Sequence, residues 1–438
     1  MSDGQSEIQN EIERAIERLV EERRVSRRTF LRRVGRGGLY VGGALSLPAM
    51  LAACGTKPLA SNTPATSSGA SATAAASPTP VPTMAGQVNW ANWPAYIDID
   101  SETGKYPTIE KFTKETGIQV HYTEDINDNQ EFFGKIQPDL SAGNPTAYDL
   151  IVMTDWMIEK MNRFGYLEQL DMAELPNFTA NAQDIYKDPW YDKGNKVSLA
   201  WQSGITGIGY NPKLTKKDLT TFDDLLDPAF KGHVGLFTEM RDTMCMALLS
   251  MGVRPVDATI AQVQAAGDKL LTAAKAGQFR NFYGNDYYDE LANGNLWATM
   301  AWSGDVTQMQ LYDNHDVKFI VPASGGMRWV DNMAIPLKAA HPTDAHMLMN
   351  FWYDPVNQVP LEEYIGYFSP VKGVADLIRK DADAAQASGD AEWASQLRII
   401  ADTVSPTNDQ LANVYNYKIL SESEETQWNQ IFQQVTTG

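Results

Sequence analysis

The chain has 438 residues, enough for two domains of ordinary size. Its formal net charge is -19, with 36 Lys and Arg against 55 Asp and Glu, which argues against nucleic acid as a partner because phosphate binding needs clustered cations. The two cysteines, Cys54 and Cys245, stand far apart without disulfide or metal-ligand spacing, and the 5 histidines do not cluster like a zinc site, so no metal is expected; His341 and His346 flank an expected helix start and read as surface residues.

Residues 1–25 have Ile8, Ile12, Ile16 and Leu19 at helical spacing among Glu and Arg and read as a solvated helical extension. Ser26-Arg27-Arg28-Thr29-Phe30-Leu31-Arg32 resembles a twin-arginine export signal, with Arg27 and Arg28 as the pair. The Gly-rich apolar run that follows is too short for a good membrane span. It ends in Leu51-Ala52-Ala53-Cys54-Gly55, which resembles a lipobox, with Cys54 as the lipidated residue. The expectation is a signal peptide over 1–53. A lipidated Cys54 and a Ser/Thr/Ala/Pro-rich tether over 54–86 follow, the tether being too poor in apolar residues to fold. That layout suits a protein held just outside the cytoplasmic membrane by lipid alone.

The folded part begins near residue 87. Strands are expected at 88–93, 118–122 and 149–153, separated by helices at 109–116 and 132–142, with a further helix running through Met161. A long apolar, Gly-punctuated strand at 198–210 is suited to crossing between two lobes. Later come strands at 231–237, 296–302 and 317–321 and helices at 244–251, 260–276 and 345–353, before a mostly helical tail. Strands alternating with helices indicate an α/β sheet.

Several expected strands end in an aromatic and an acid. Trp302-Ser303-Gly304-Asp305 closes one, Trp329 and Asp331 lie two apart in another, and Trp93 and Tyr96 follow the first. Thr154 and Trp156 follow the strand at 149–153, and Glu239 and Asp242 follow the strand at 231–237. Tyr367 sits in a turn near the end. In open α/β sheets, ligands bind beyond the carboxyl ends of strands. Aromatic faces attract cations, and carboxylates hold ammonium groups by charge-assisted hydrogen bonds. Taken singly, each aromatic also fits core packing and each acid a helix cap or a solvated charge; Asp242 reads as such a cap. Together they outline a pocket for an organic cation.

Nine ordered blocks between 87 and 374 carry a family resemblance. They include Asn92-Trp93-Pro94-Ala95-Tyr96, Gly204-Ile205-Thr206-Gly207-Ile208-Gly209-Tyr210-Asn211, Trp302-Ser303-Gly304-Asp305 and Trp329-Val330-Asp331-Asn332-Met333-Ala334-Ile335-Pro336. In these the chain resembles the bacterial spermidine/putrescine-binding proteins of polyamine ABC transporters. The resemblance implies a two-lobe periplasmic-binding-protein-like α/β fold with a hinge. The first lobe would span 87–203 plus 330–380 and the second 204–329 plus 381–438. It also implies a monomer without cofactor that binds a polyamine in the interlobe cleft and delivers it to permease subunits. The pocket would comprise Trp93, Tyr96, Thr154, Trp156, Glu239, Asp242, Trp302, Asp305, Trp329, Asp331 and Tyr367, with Asp331 the central ammonium-binding acid. A further C-terminal pocket residue falls near 415–417. The chain departs from the family at Pro94 and Ala95, where the family has a hydroxyl residue and an acid, and Arg241 stands between two pocket acids.

Two rival readings stay open. The same fold binds other small ligands, such as other amines, amino acids or metals. The acids would also serve a secreted carboxylate-dependent hydrolase. Against an enzyme, the chain has no Gly-x-Ser-x-Gly elbow, His-Glu-x-x-His, phosphate loop or dinucleotide fingerprint.

Overall fold

The computed structural model describes residues 84–100 and 103–438. The expectations for Arg27, Arg28, Cys54 and most of the tether lie outside the described residues.

The first half of the sheet is built from β1 (Gln87–Ala91), helix α1 (Pro107–Thr116), β2 (Gln119–Thr123), α2 (Asn129–Ser141), β3 (Leu150–Thr154) and α3 (Asp155–Arg163). Pro107 suits the first turn of α1 because its missing N–H would be unbonded there anyway. Gly117, left-handed at φ 79, closes α1 by donating to the Thr113 carbonyl. β1 lies between β2 and β3 and is parallel to both.

β4 (Ser198–Tyr210), apolar apart from Ser198, Gln202, Ser203 and Thr206, is buried along its whole length. After it come β5 (Val234–Phe237), α4 (Met240–Ser250), α5 (Ile260–Lys275), β6 (Phe279–Tyr283), β7 (Ala298–Trp302), α6 (Ser303–Gln308), β8 (Lys318–Ile320) and β9 (Gly326–Ala334). The sheet order is β2-β1-β3-β9-β4-β7-β5-β6, with β8 on β4 and β10 (Val414–Tyr415) on β9. β4 and β9 run antiparallel to each other and serve both halves. The end of β9 pairs with β3, Asp331 opposite Thr154, and the end of β4 pairs with β7, Thr206 opposite Trp302.

The longer helices after β9 are α7 (Pro342–Trp352), α8 (Pro355–Ile365), α9 (Val374–Ala387), α10 (Ala391–Thr403) and α11 (Glu422–Thr437). The segment after α8 meets β4, where Ser203 and Phe368 exchange backbone hydrogen bonds of 3.1 and 2.9 Å. Residue 380 lies inside α9, and the chain joins β9 at Val414. α11 packs against α5 and α4 and opens with a capping box between Ser421 and Glu424.

Three local expectations need correction. α4 starts at Met240, and its cap is Glu239, whose side chain accepts from the Arg241 N–H, so Asp242 is a first-turn residue free to bond elsewhere. α8 went unforeseen, since it carries Pro355 and Pro360 and is buried around most of its circumference. His346, expected at the surface, is buried, with Nε2 3.0 Å from the Asp171 N–H.

Candidate functional site

The carboxyl ends of β1, β3, β5 and β7 open onto one cavity of about 560 Å³. Trp93 follows β1 by two residues, Thr154 ends β3, Glu239 follows β5 by two, and Trp302 ends β7. All eleven residues expected in the pocket line this cavity. Seven carboxylates face it: Asp128, Glu239, Asp242, Asp289, Asp305, Asp313 and Asp331. Among the described residues, twelve aromatic side chains line it as well, and no Lys, Arg or His does.

The acids are held by hydroxyl donors. Asp331, on the same face of β9 as Trp329, accepts from Tyr96 Oη at 2.9 Å and from Thr154 Oγ1 at 2.7 Å. Thr154 is fixed in turn by Asn129, whose Nδ2 donates to Oγ1 at 2.9 Å and whose Oδ1 accepts from the Thr154 N–H at 3.1 Å. Asp242 Oδ1 accepts from Thr206 Oγ1 and Tyr417 Oη, both at 2.6 Å. Asp305 accepts from Tyr287 Oη at 2.7 Å and from Tyr367 Oη at 2.5 Å. Asp242 and Asp305 also sit in the first turns of α4 and α6, where the helix dipole favours negative charge.

Burial works against these carboxylates. It raises Asp331 and Asp242 to about 6, despite the hydroxyl bonds that pull each down. Burial also lifts Asp305, and it lifts Glu239 well above the usual range with help from the charges of Asp128 and Asp242. A cation entering the cleft offsets what burial costs these acids.

The aromatics form a connected wall. Tyr96 and Tyr367 meet edge-on at 5.6 Å, Trp329 meets Tyr367 at 5.3 Å, and Trp302 leans on Phe237 at 4.6 Å. Two glycines make room for this wall. A Cβ at Gly204 would overlap the Trp329 ring, and one at Gly304 would lie 2.5 Å from the Tyr367 ring. Trp93 is oriented by its Nε1, which donates to the Val152 carbonyl at 3.1 Å.

Sequence reasoning left some residues unassigned. Tyr417, in the stretch expected to hold a C-terminal pocket residue, lines the cavity and donates to Asp242. Asp128 caps α2 and also lines the cavity. Tyr288 and Asp313, joined at 2.6 Å, gave no sequence signal. Arg241 turns away from the cavity. Its guanidinium lies 4.6 Å from the Trp156 ring centre and donates to the Lys418 carbonyl at 2.8 Å. Among the described residues no group of three or more His, Cys, Asp or Glu is arranged to hold a metal ion.

The family model described as bacterial extracellular solute-binding protein matches residues 108–390. The chain belongs to this family. This solute-binding protein is 30% identical over 260 residues to spermidine/putrescine-binding periplasmic protein 1 of Haemophilus influenzae, covering 59% of this chain and 70% of that one. It is 28% identical to a putrescine/cadaverine-binding protein of Pseudomonas aeruginosa, over 66% of this chain and 81% of the relative. A solved ABC transporter structure from Listeria monocytogenes superposes with a TM-score of 0.67 at 29% identity, over 80% of this chain and 99% of that one. The solute-binding protein thus has the two-lobe α/β fold of periplasmic binding proteins, with a ligand cleft between the lobes. No helix among its described residues is long and apolar enough to cross a membrane.

Proposed function

We propose that this chain captures a fully protonated linear polyamine, spermidine or putrescine, and delivers it to the permease subunits of an ABC transporter. The observation that carries this reading is the composition of the cleft, which among the described residues has seven carboxylates, twelve aromatics and no basic side chain. An ammonium loses its water on entry, and a buried charge left unpaired is strongly unfavourable, so acids must stand at both ends of the ligand. We assign Asp331 and Asp305 to one end and Glu239 and Asp242 to the other. The methylenes between amines favour burial by about 0.8 kcal/mol each, which suits the indoles of Trp302 and Trp329. Cation–π attraction adds of order 1 kcal/mol where an amine meets a ring face. Trp93, Tyr96, Thr154, Trp156 and Tyr367 complete the pocket.

The lobes in this reading are 87–203 with 330–380 and 204–329 with 381–438, and they close by a hinge motion on β4 and β9. We assign no catalytic step. The deepest acids already accept from fixed Tyr and Thr hydroxyls, an arrangement that holds carboxylates in place for a cation. The protein works as a monomer outside the cytoplasmic membrane, exported through Arg27 and Arg28 and anchored by a lipid on Cys54.

Calorimetric titration of the purified protein with spermidine, putrescine and a neutral sugar tests the reading. Heat and a thermal shift with an amine but not with the sugar are expected. No response to either amine, or turnover of a glycoside, refutes it.

A further inference from the structure

Beside the cleft, the two halves of the molecule meet at a shielded ion network outside the pocket. Glu425 projects from α11, which packs on α5 and α4 of the second half. Its Oε1 accepts from Lys160 Nζ of α3 at 2.9 Å and also from Gln130 Nε2 of α2. Its Oε2 lies 3.9 Å from the Arg241 guanidinium, which itself stacks on Trp156 of α3. Nearby, Arg163 Nη2 of α3 donates to the Leu420 carbonyl at 3.4 Å. The side chains of Lys160 and Glu425 are only 12% and 7% exposed, so this pair is not an ordinary surface ion pair.

We infer that Lys160 and Glu425 form a latch that holds the cleft shut and sets how long a captured ligand stays. Every partner of Glu425 named above comes either from α2 and α3, which follow β2 and β3, or from α4. Opening the cleft between the halves parts Glu425 from Lys160 and Gln130 and returns both charges to water. Burial would raise the Glu425 carboxyl, but the bond and charge of Lys160, with the Arg241 charge and the Gln130 bond, hold it below the usual range, so it is ionised at neutral pH. Trp156 links the latch to the pocket, since it lines the cavity and also carries Arg241 on its ring. The latch does not line the cavity, so its effect falls on the dissociation rate and is the same for every ligand that allows closure.

As applied to amines, the inference rests on the proposed ligand. The test uses the purified full chain and two measurements. The first is stopped-flow dissociation of spermidine and of putrescine from the wild type and from Lys160→Met, Glu425→Gln and the double variant. Each single change should speed dissociation by about tenfold for both amines and leave association within about twofold, with the double variant no faster than the faster single one. Lys160→Arg, which keeps the charge, should restore slow dissociation. The second is small-angle scattering of the ligand-free proteins, where both single variants should be more expanded than the wild type. Unchanged dissociation, or single effects that simply multiply, overturns the latch. If the wild type binds neither amine, the ligand assignment fails and scattering decides the latch alone: equal radii of gyration overturn it, and expanded variants uphold it.

Discussion

Asp331→Asn separates the two effects of burying a carboxylate. Asp331 is 7% exposed, and burial pushes its carboxyl up to about 6 from an ordinary 3.8. That difference is about 2 pKa units, so keeping the group ionised in the empty cleft costs about 3 kcal/mol at neutral pH. The folded form holds the proton more tightly than the unfolded chain. The cost is therefore absent below pH 3.8, grows as pH rises through the window between 3.8 and 6, and is constant above it. Asparagine removes the charge, keeps an oxygen for Thr154 Oγ1, and offers an N–H₂ that the Tyr96 hydroxyl can accept. The ligand-free variant should melt a few degrees higher than the wild type at pH 7.5, and the gap should shrink toward pH 4. Amine binding should move the other way, weakening by a few kcal/mol because a desolvated ammonium loses its counter-charge. Calorimetric melts across pH, paired with titrations at pH 7.5, measure both. A variant that melts lower than the wild type at neutral pH, or that binds amines as well, refutes the reasoning.

Other outcomes follow from the same geometry. Asp331 and Asp242 both titrate near 6 without ligand, so amine affinity should fall between pH 7 and pH 5, by about tenfold if one must ionise and about a hundredfold if both must; titrations that give one affinity across that range contradict this. Gly204→Ala should displace the Trp329 ring and cost amine affinity about tenfold or more while the fold persists, which fluorescence titration and circular dichroism read together. Cys54→Ala should release the protein from the membrane fraction, and the pair Arg27→Lys with Arg28→Lys should block export, both read by cell fractionation.

Local chemistry made the sheet and the pocket rim legible in the sequence. Trp329 and Asp331 are two apart on a strand, so they share a face whatever the tertiary structure. Trp93, Glu239 and Trp302 mark the carboxyl ends of strands, where topology leaves a crevice. The features that stayed hidden depend on distant partners. α8 has prolines at its first and sixth positions and no polar face, so neither propensity nor periodicity reveals it. Asp242 looked like a cap because the hydroxyls that claim it lie 36 and 175 residues away. The departure at Ala95 gains meaning in three dimensions. It is exposed on the cavity rim with φ 54, a strained value for alanine, and its N–H donates to Glu124 Oε1 at 3.1 Å. Glu124 holds that turn from outside the cavity, so it does not replace an acid facing a ligand. Of the seven cavity carboxylates, Asp128 alone comes from before β4, Asp331 lies on the shared β9, and the other five lie between β5 and β8. The segment before β4 contributes Trp93, Tyr96 and Trp156 to the cavity walls, with uncharged neighbours such as Asn127, Asn129 and Thr154. An approaching cation is therefore drawn first to the stretch between β5 and β8, which carries most of the cleft's charge.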